Sequence, residues 1–317
     1  MTKSIDVYAH IGLPRFLSAE DLVRVMDANR IQYSLVSTAQ FCPDLRELMR
    51  GVRTFPERLR AVGLPLGPSP PAMRDAVCLQ MDAGFVGIRI LGVTALAQPD
   101  LLSAVGERGG FAIVVGFEPW TKFAGVLADF LDRFPNSFII GGHFAGPTDF
   151  RILDSNESMK RLFDNERFYV AFTRQGLMDP NVLKPWADFL IKRLGWSRLV
   201  WGSEWPVALW RNEQYSSTRS FIDQFNPTDI EREAFFFGNA WHLLFSKPAP
   251  KMKAYSKSLE LMQYKVDANI SLFPGGFILD EKEHLVLLKS YEAWGGDSRG
   301  TYSDFIRLAV MQGAGRV

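Results

Sequence analysis

Ile5-Asp6-Val7-Tyr8-Ala9-His10-Ile11-Gly12-Leu13-Pro14 opens the chain on a short apolar run that carries polar residues at its end. This stretch separates two parallel-sheet folds. An open, doubly wound sheet would normally place a glycine-rich phosphate turn, G-x-G-x-x-G, directly after its first strand. Ala9-His10-Ile11-Gly12-Leu13-Pro14 contains no such turn. A closed barrel instead displays side chains from the C-terminal ends of its strands at one shared mouth. Tyr8 and His10, two positions apart, point the same way on an extended strand.

Seven more short apolar or β-branched runs follow, at 31–38, 59–64, 86–91, 111–116, 137–141, 168–173 and 198–201. Stretches of helical length lie between them. One opens at Ser18 with Asp21 three residues on, close to a capping box. Another begins near Pro71, as proline in a first helical turn often does. Others occupy 98–108, 121–133, 156–164, 181–194 and 229–245. Strand and helix alternating with short connections predict a parallel sheet covered by helices. Eight units between residues 4 and 245 fit an α/β fold of the (β/α)8 TIM-barrel type, because eight strands close around an interior that side chains can fill. The barrel is expected over residues 1–246. Ser246-Lys247-Pro248-Ala249-Pro250-Lys251 has the composition of a linker. Residues 247–317 are expected to form a mainly helical extension, with helices at 253–266, 280–294 and 302–311, packing on the barrel or on a partner subunit.

The 317 residues are 47% hydrophobic and 22% charged, an ordinary globular profile. A net charge of +1, with no basic stripe interleaved with aromatics, argues against nucleic acid as a partner. No apolar stretch approaches the roughly 20 residues that span a bilayer, so no membrane partner is expected. Cys42 and Cys78 form no metal-binding or disulfide pattern. With no signal-peptide pattern at the N-terminus, a cytoplasmic location is expected. The apolar extension is compatible with a homodimer.

Polar residues collect where a barrel builds its active site. The first strand delivers Asp6, Tyr8 and His10, and the second ends near Thr38 and Gln40. Arg89 ends the fourth strand, Glu118 follows the fifth, His143 follows the sixth, Thr173 and Arg174 end the seventh, and Glu204 follows the eighth. Two of the four histidines fall just past strand ends, whereas His242 and His284 lie on predicted helices. One such histidine would be read as structural. Two, with a glutamate and two arginines at one mouth, point to chemistry.

Several segments, in order along the chain, resemble the amidohydrolase-related (amidohydrolase 2) barrel enzymes. Asp6-Val7-Tyr8-Ala9-His10-Ile11-Gly12 is similar to their opening D-x-H-x-H-x-G, and Val86-Gly87-Ile88-Arg89 to their fourth-strand G-[VI]-R. Gly142-His143-Phe144-Ala145-Gly146-Pro147 resembles their H-x-x-x-P turn. Leu199-Val200-Trp201-Gly202-Ser203-Glu204-Trp205-Pro206 resembles their eighth-strand signature, and Phe237-Gly238-Asn239-Ala240 their final-helix start. The resemblance implies a TIM barrel and hydrolysis or decarboxylation of small molecules. It also implies a divalent-metal site, such as zinc, from which this chain departs. Tyr8 takes the place of the first metal-binding histidine, and Glu204 that of the aspartate. His10, His143 and Glu204 would be the ligands if a metal were bound. No cofactor is expected, as in the pyrone-dicarboxylate lactonases that this subgroup resembles.

The expected activity is hydrolysis of a small anionic lactone or cyclic ester. Glu204 would be the general base, its carboxyl raised by the neighbouring Trp201 and Trp205. His10, His143 and Tyr8 would stabilise the oxyanion. Arg89 and Arg174 would hold a substrate carboxylate, with Gln40, Glu118 and Trp205 completing the binding surface. Gly146 stands where dicarboxylate-specific lactonases often carry an arginine, which weakens the case for the pyrone substrate. A metal-dependent decarboxylase or hydratase is the alternative that Tyr8 and Glu204 disfavour. The other alternative is a barrel that lost catalysis and binds a ligand or partner.

Overall fold

The computed structural model describes residues 3–12, 16–38, 43–67, 69–116, 118–147, 151, 155–208, 213–248 and 250–259. Eight strands follow one another around a single sheet in sequence order: β1 Ser4–His10, β2 Ile31–Ser37, β3 Leu59–Gly63, β4 Gly87–Leu91, β5 Phe111–Val115, β6 Ile139–Gly141, β7 Phe168–Phe172 and β8 Leu199–Trp201. Each pairs in parallel with the next. The ring is drawn shut where the chain runs on from β8 along β1. There the Glu204 N–H donates to the Tyr8 carbonyl and the His10 N–H to the Trp205 carbonyl, both at 2.7 Å. This is the (β/α)8 barrel that the strand–helix alternation predicts.

Period-two alternation sorts the strand residues into two cores. Leu35, Val62, Ile113, Ile140, Ala171 and Val200 face inward. Their neighbours Val36, Ala61, Ile88, Ile90, Val114, Ile139, Val170 and Leu199 face the surrounding helices. A register shift in β1 between Asp6 and Ala9 places Val7 and Tyr8, although adjacent, in the inner set, while Ala9 packs outward. The last helical segment closes the N-terminal end, where the Phe245 ring lies 4.8 Å from that of Tyr33 near the start of β2.

The caps act as the sequence indicates. Ser18 accepts the Asp21 N–H at the start of the helix Ala19–Ala28, and two prolines open the helix Pro70–Asp82. Several elements differ from expectation. A helix at Leu45–Thr54, capped by Asp44, fills the stretch after β2. A short helix at Gly92–Ala97 precedes the one expected at 98–108. The helix expected at 229–245 begins as Asp229–Glu233 and continues in π-helical form over Ala234–Gly238 and Trp241–Phe245. Beyond it, residues 251–256 are irregular and helix begins only at 257 rather than 253. The chain there is drawn onto the barrel surface by the Lys253 N–H bond to the Ala83 carbonyl, 2.8 Å, and by burial of Met252 and Leu259. The remainder of the expected 253–266 helix, and those at 280–294 and 302–311, lie outside the described residues.

Candidate active site

The C-terminal strand ends bring six of the expected residues to one mouth. Tyr8 is at its centre, its ring edge-on to His10 at 5.0 Å and to His143 at 5.3 Å between centroids. Its phenol oxygen accepts from Arg89 Nε at 2.6 Å. Burial raises the Tyr8 pKa above its ordinary value, and Arg89 only partly opposes this, so the group is a neutral phenol around pH 7. With the oxygen accepting from Arg89, the phenolic proton remains to be donated.

His143 follows β6. Its Nε2 lies 3.8 Å from Glu204 Oε1, and Arg174 Nε lies 3.6 Å from Glu204 Oε2. Glu204 is thus flanked by an imidazole and a guanidinium. All three residues have left-handed backbone, with φ of 52° at His143, 67° at Arg174 and 58° at Glu204. A non-glycine residue pays about 1–3 kcal/mol for this conformation, and such strain gathers at functional sites. Surrounding bonds hold it in place. Asp6 Oδ1 accepts the N–H groups of Tyr8, 3.1 Å, and Ser203, 2.9 Å, and Oδ2 accepts the Ser203 hydroxyl at 2.5 Å. Ser203 Oγ in turn accepts the Trp205 N–H at 2.9 Å. Glu204 therefore projects from a turn tied on both sides. Gly202 allows β8 this close to β1, for a Cβ there would stand 2.7 Å from Thr173 Cγ2 and 2.8 Å from Tyr8 Cβ.

Two hydroxyls that carry no role in the sequence reading support the imidazoles. Ser37 Oγ lies 3.0 Å from His10 Nδ1, and Thr173 Oγ1 lies 2.8 Å from His143 Nδ1. Phe16 stacks on His10 at 4.9 Å. Strand alternation was the available signal, since Ser37 is two positions beyond the inward Leu35 and Thr173 two beyond Ala171.

Other expected residues are placed elsewhere. Glu118 is exposed and paired with Lys122 at 2.8 Å, so its carboxylate is engaged at the surface. Trp205 is buried in the outer core, stacked on Tyr215 at 4.6 Å, and is a packing residue there rather than a binding surface. Trp201 also faces outward, against Tyr215 and Phe236. Both indoles are thus held among outer-core rings. Gln40 lies outside the described residues.

Residues 6–245 match the family model described as Amidohydrolase. The chain belongs to the amidohydrolase family. No curated protein sequence matches it. Among solved structures, this amidohydrolase is similar in fold to a probable 2-pyrone-4,6-dicarboxylic acid hydrolase from Acinetobacter baumannii with citric acid bound, at TM-score 0.58 and 15% identity, over 76% of this chain and 98% of that one. A zinc-bound amidohydrolase from Burkholderia multivorans gives 0.57 and 15% over the same shares. The 5-carboxyvanillate decarboxylase of Sphingomonas paucimobilis gives 0.52 and 13%, over 77% and 99%.

The donor set of this amidohydrolase departs from the family's divalent-metal pattern at Tyr8 and Glu204. Zinc takes about four ligands at roughly 2.0–2.3 Å. Among the described residues, no group of three or more His, Cys, Asp or Glu is arranged to hold a metal ion. Where the family pattern has a first histidine, Tyr8 offers a neutral phenol already bonded to a guanidinium. Arg174 places a second positive charge beside Glu204, and cations so placed oppose a dication. Among the described residues, no helix is long and apolar enough to cross a membrane.

Proposed function

We propose that this amidohydrolase is a metal-independent hydrolase of a small anionic lactone or cyclic ester. The observation that carries the proposal is the Glu204 carboxylate with His143 Nε2 and Arg174 Nε each within 4 Å of one of its oxygens, next to the Tyr8–Arg89 pair. Glu204 takes a proton from water as the water oxygen bonds to the lactone carbonyl carbon. The charge that develops on the carbonyl oxygen is met by hydrogen bonds from His143, His10 and the Tyr8 phenol. The ring C–O bond then breaks, and the leaving oxygen receives the proton from Glu204. A hydroxy acid results, and the carboxylate is regenerated. The terminal nitrogens of Arg89, whose Nε is committed to Tyr8, and the guanidinium of Arg174 favour a substrate that carries a carboxylate.

Enzyme purified without added metal and treated with EDTA tests this against a lactone panel. The panel holds 2-pyrone-4,6-dicarboxylate, monocarboxylated γ-lactones and uncharged sugar lactones. Turnover of a carboxylated member that EDTA leaves unchanged is the expected result. Activity that EDTA abolishes and zinc or manganese restores would replace this proposal with the metal-dependent one.

A further inference from the structure

His143 is joined to Thr173 twice, and only one pattern of protons satisfies both contacts. The Thr173 hydroxyl oxygen lies 2.9 Å from the His143 main-chain nitrogen and 2.8 Å from its Nδ1. Thr173 has no solvent-exposed surface. The main-chain N–H can only donate, so the oxygen accepts there. The hydroxyl then has one proton to place. If Nδ1 also carried a proton, both neighbours would be donors and the hydroxyl proton would be buried with no acceptor among the described residues. Buried polar groups avoid that state. The satisfied arrangement has the hydroxyl donating to Nδ1. A neutral imidazole whose Nδ1 accepts carries its proton on Nε2.

We propose that Thr173 is a positioning residue that fixes His143 as the Nε2–H tautomer. Nε2 is the nitrogen that faces Glu204, 3.8 Å from Oε1. The fixed proton therefore points into the space between imidazole and carboxylate, where the reacting oxygen atoms are placed by the proposed hydrolysis. An Nε2–H imidazole donates to a developing oxyanion without first having to exchange its tautomer. It also presents no lone pair at Nε2, so the same device turns His143 away from metal ligation. His143 holds a left-handed backbone, φ 52°, and its main-chain N–H and Nδ1 both meet this one oxygen. Main chain and ring are thereby set by one side chain. The catalytic consequence rests on the proposed function, whereas the tautomer assignment does not.

The experiment is proton-detected 15N spectroscopy of the histidine ring nitrogens in the full-length chain, with His143→Asn identifying the His143 signals. Wild type is expected to show an unprotonated Nδ1 and a protonated Nε2 at a pH where the ring is neutral. Thr173→Ser keeps the hydroxyl and is expected to give the same pattern. Thr173→Val keeps the shape and removes the hydroxyl. It is expected to lose the bias, a change of about 5- to 150-fold in the tautomer ratio, as removal of one buried hydrogen-bond preference gives. On a lactone that the wild type turns over, Thr173→Val should lower kcat about tenfold with KM within twofold, and Thr173→Ser should restore most of it. A protonated Nδ1 in the wild type, or an Nε2–H pattern that persists in Thr173→Val, would overturn the assignment. The wild-type and Thr173→Ser spectra decide the question even if the valine variant fails to fold. An Nε2–H tautomer in a protein that hydrolyses no lactone would uphold the assignment and remove only the hydrolase.

Discussion

Tyr8 replaces an imidazole with a phenol, and the exchange changes what the centre can do. An imidazole there would offer a lone pair to a metal, whereas the phenol oxygen receives Arg89 Nε at 2.6 Å and keeps a proton to give. Accepting a bond from a cation makes that proton a better donor. Tyr8→Phe removes both functions and leaves a half-buried Arg89 that can turn to solvent. A hydrogen bond involving a charged partner contributes about 1.5–3 kcal/mol, so kcat/KM for a carboxylated lactone should fall roughly 10- to 150-fold. Steady-state kinetics with the melting temperature measured alongside checks this, and unchanged kinetics would remove Tyr8 from the chemistry. At this scale the sequence was informative for charged and aromatic residues, because Tyr8, His10, Arg89, His143, Arg174 and Glu204 all stand at strand ends. It was less so for Ser37 and Thr173. A hydroxyl in a strand has many ordinary uses, and only the Nδ1 contacts reveal this one. Trp205 misled for a related reason. It neighbours Glu204 in sequence, but the turn aims the indole at Tyr215.

Between residues and fold stands the seam of β1 and β8, which closes the barrel and aims Glu204 in one set of bonds. Asp6 holds it, accepting from Tyr8 and Ser203 in a buried position. Burial raises the Asp6 pKa, and the Ser203 hydrogen bonds do not fully offset it. The native state therefore keeps the Asp6 proton at pH values where the unfolded chain, with an ordinary Asp pKa near 3.9, has released it. Over that window the unfolded state binds fewer protons, so stability falls as pH rises from about 3.9 to the raised native value. Asp6→Asn has no such slope. Denaturant unfolding at a series of acid pH values should show wild type losing stability relative to Asp6→Asn across that window, and parallel profiles would contradict the account. Elements were legible where period and caps agreed. All eight strands lie within two residues of their expected ends. Leu45–Thr54 does carry a helical signal, for Asp44 caps it and Leu45, Leu48, Met49 and Val52 share its buried face. The two π segments had none, since widening a helix by one residue per turn depends on its packing.

For the molecule as a whole, closure of the sheet carries five distant parts of the chain to one place: β1, β4, the turn after β6, the end of β7 and the turn after β8. The barrel was legible because its evidence is distributed over eight repeats of one pattern. The meeting of Glu204 with His143 and Arg174 was legible only through the barrel, because the contact depends on closure and on three left-handed residues. The extension beyond residue 245 has no counterpart in this logic, and the structural neighbours cover 76–77% of the chain. The central claim is that these parts meet to make one water-activating site, with Glu204 as its base. Glu204→Gln keeps the size and polarity of the side chain and removes only its basicity. The deciding measurement is kcat of Glu204→Gln on a carboxylated lactone that the wild type hydrolyses. It should fall by about 10²-fold or more, the usual loss for a general base, with the fold retained by circular dichroism. A folded Glu204→Gln variant that turns over the same lactone at the wild-type rate would contradict the account.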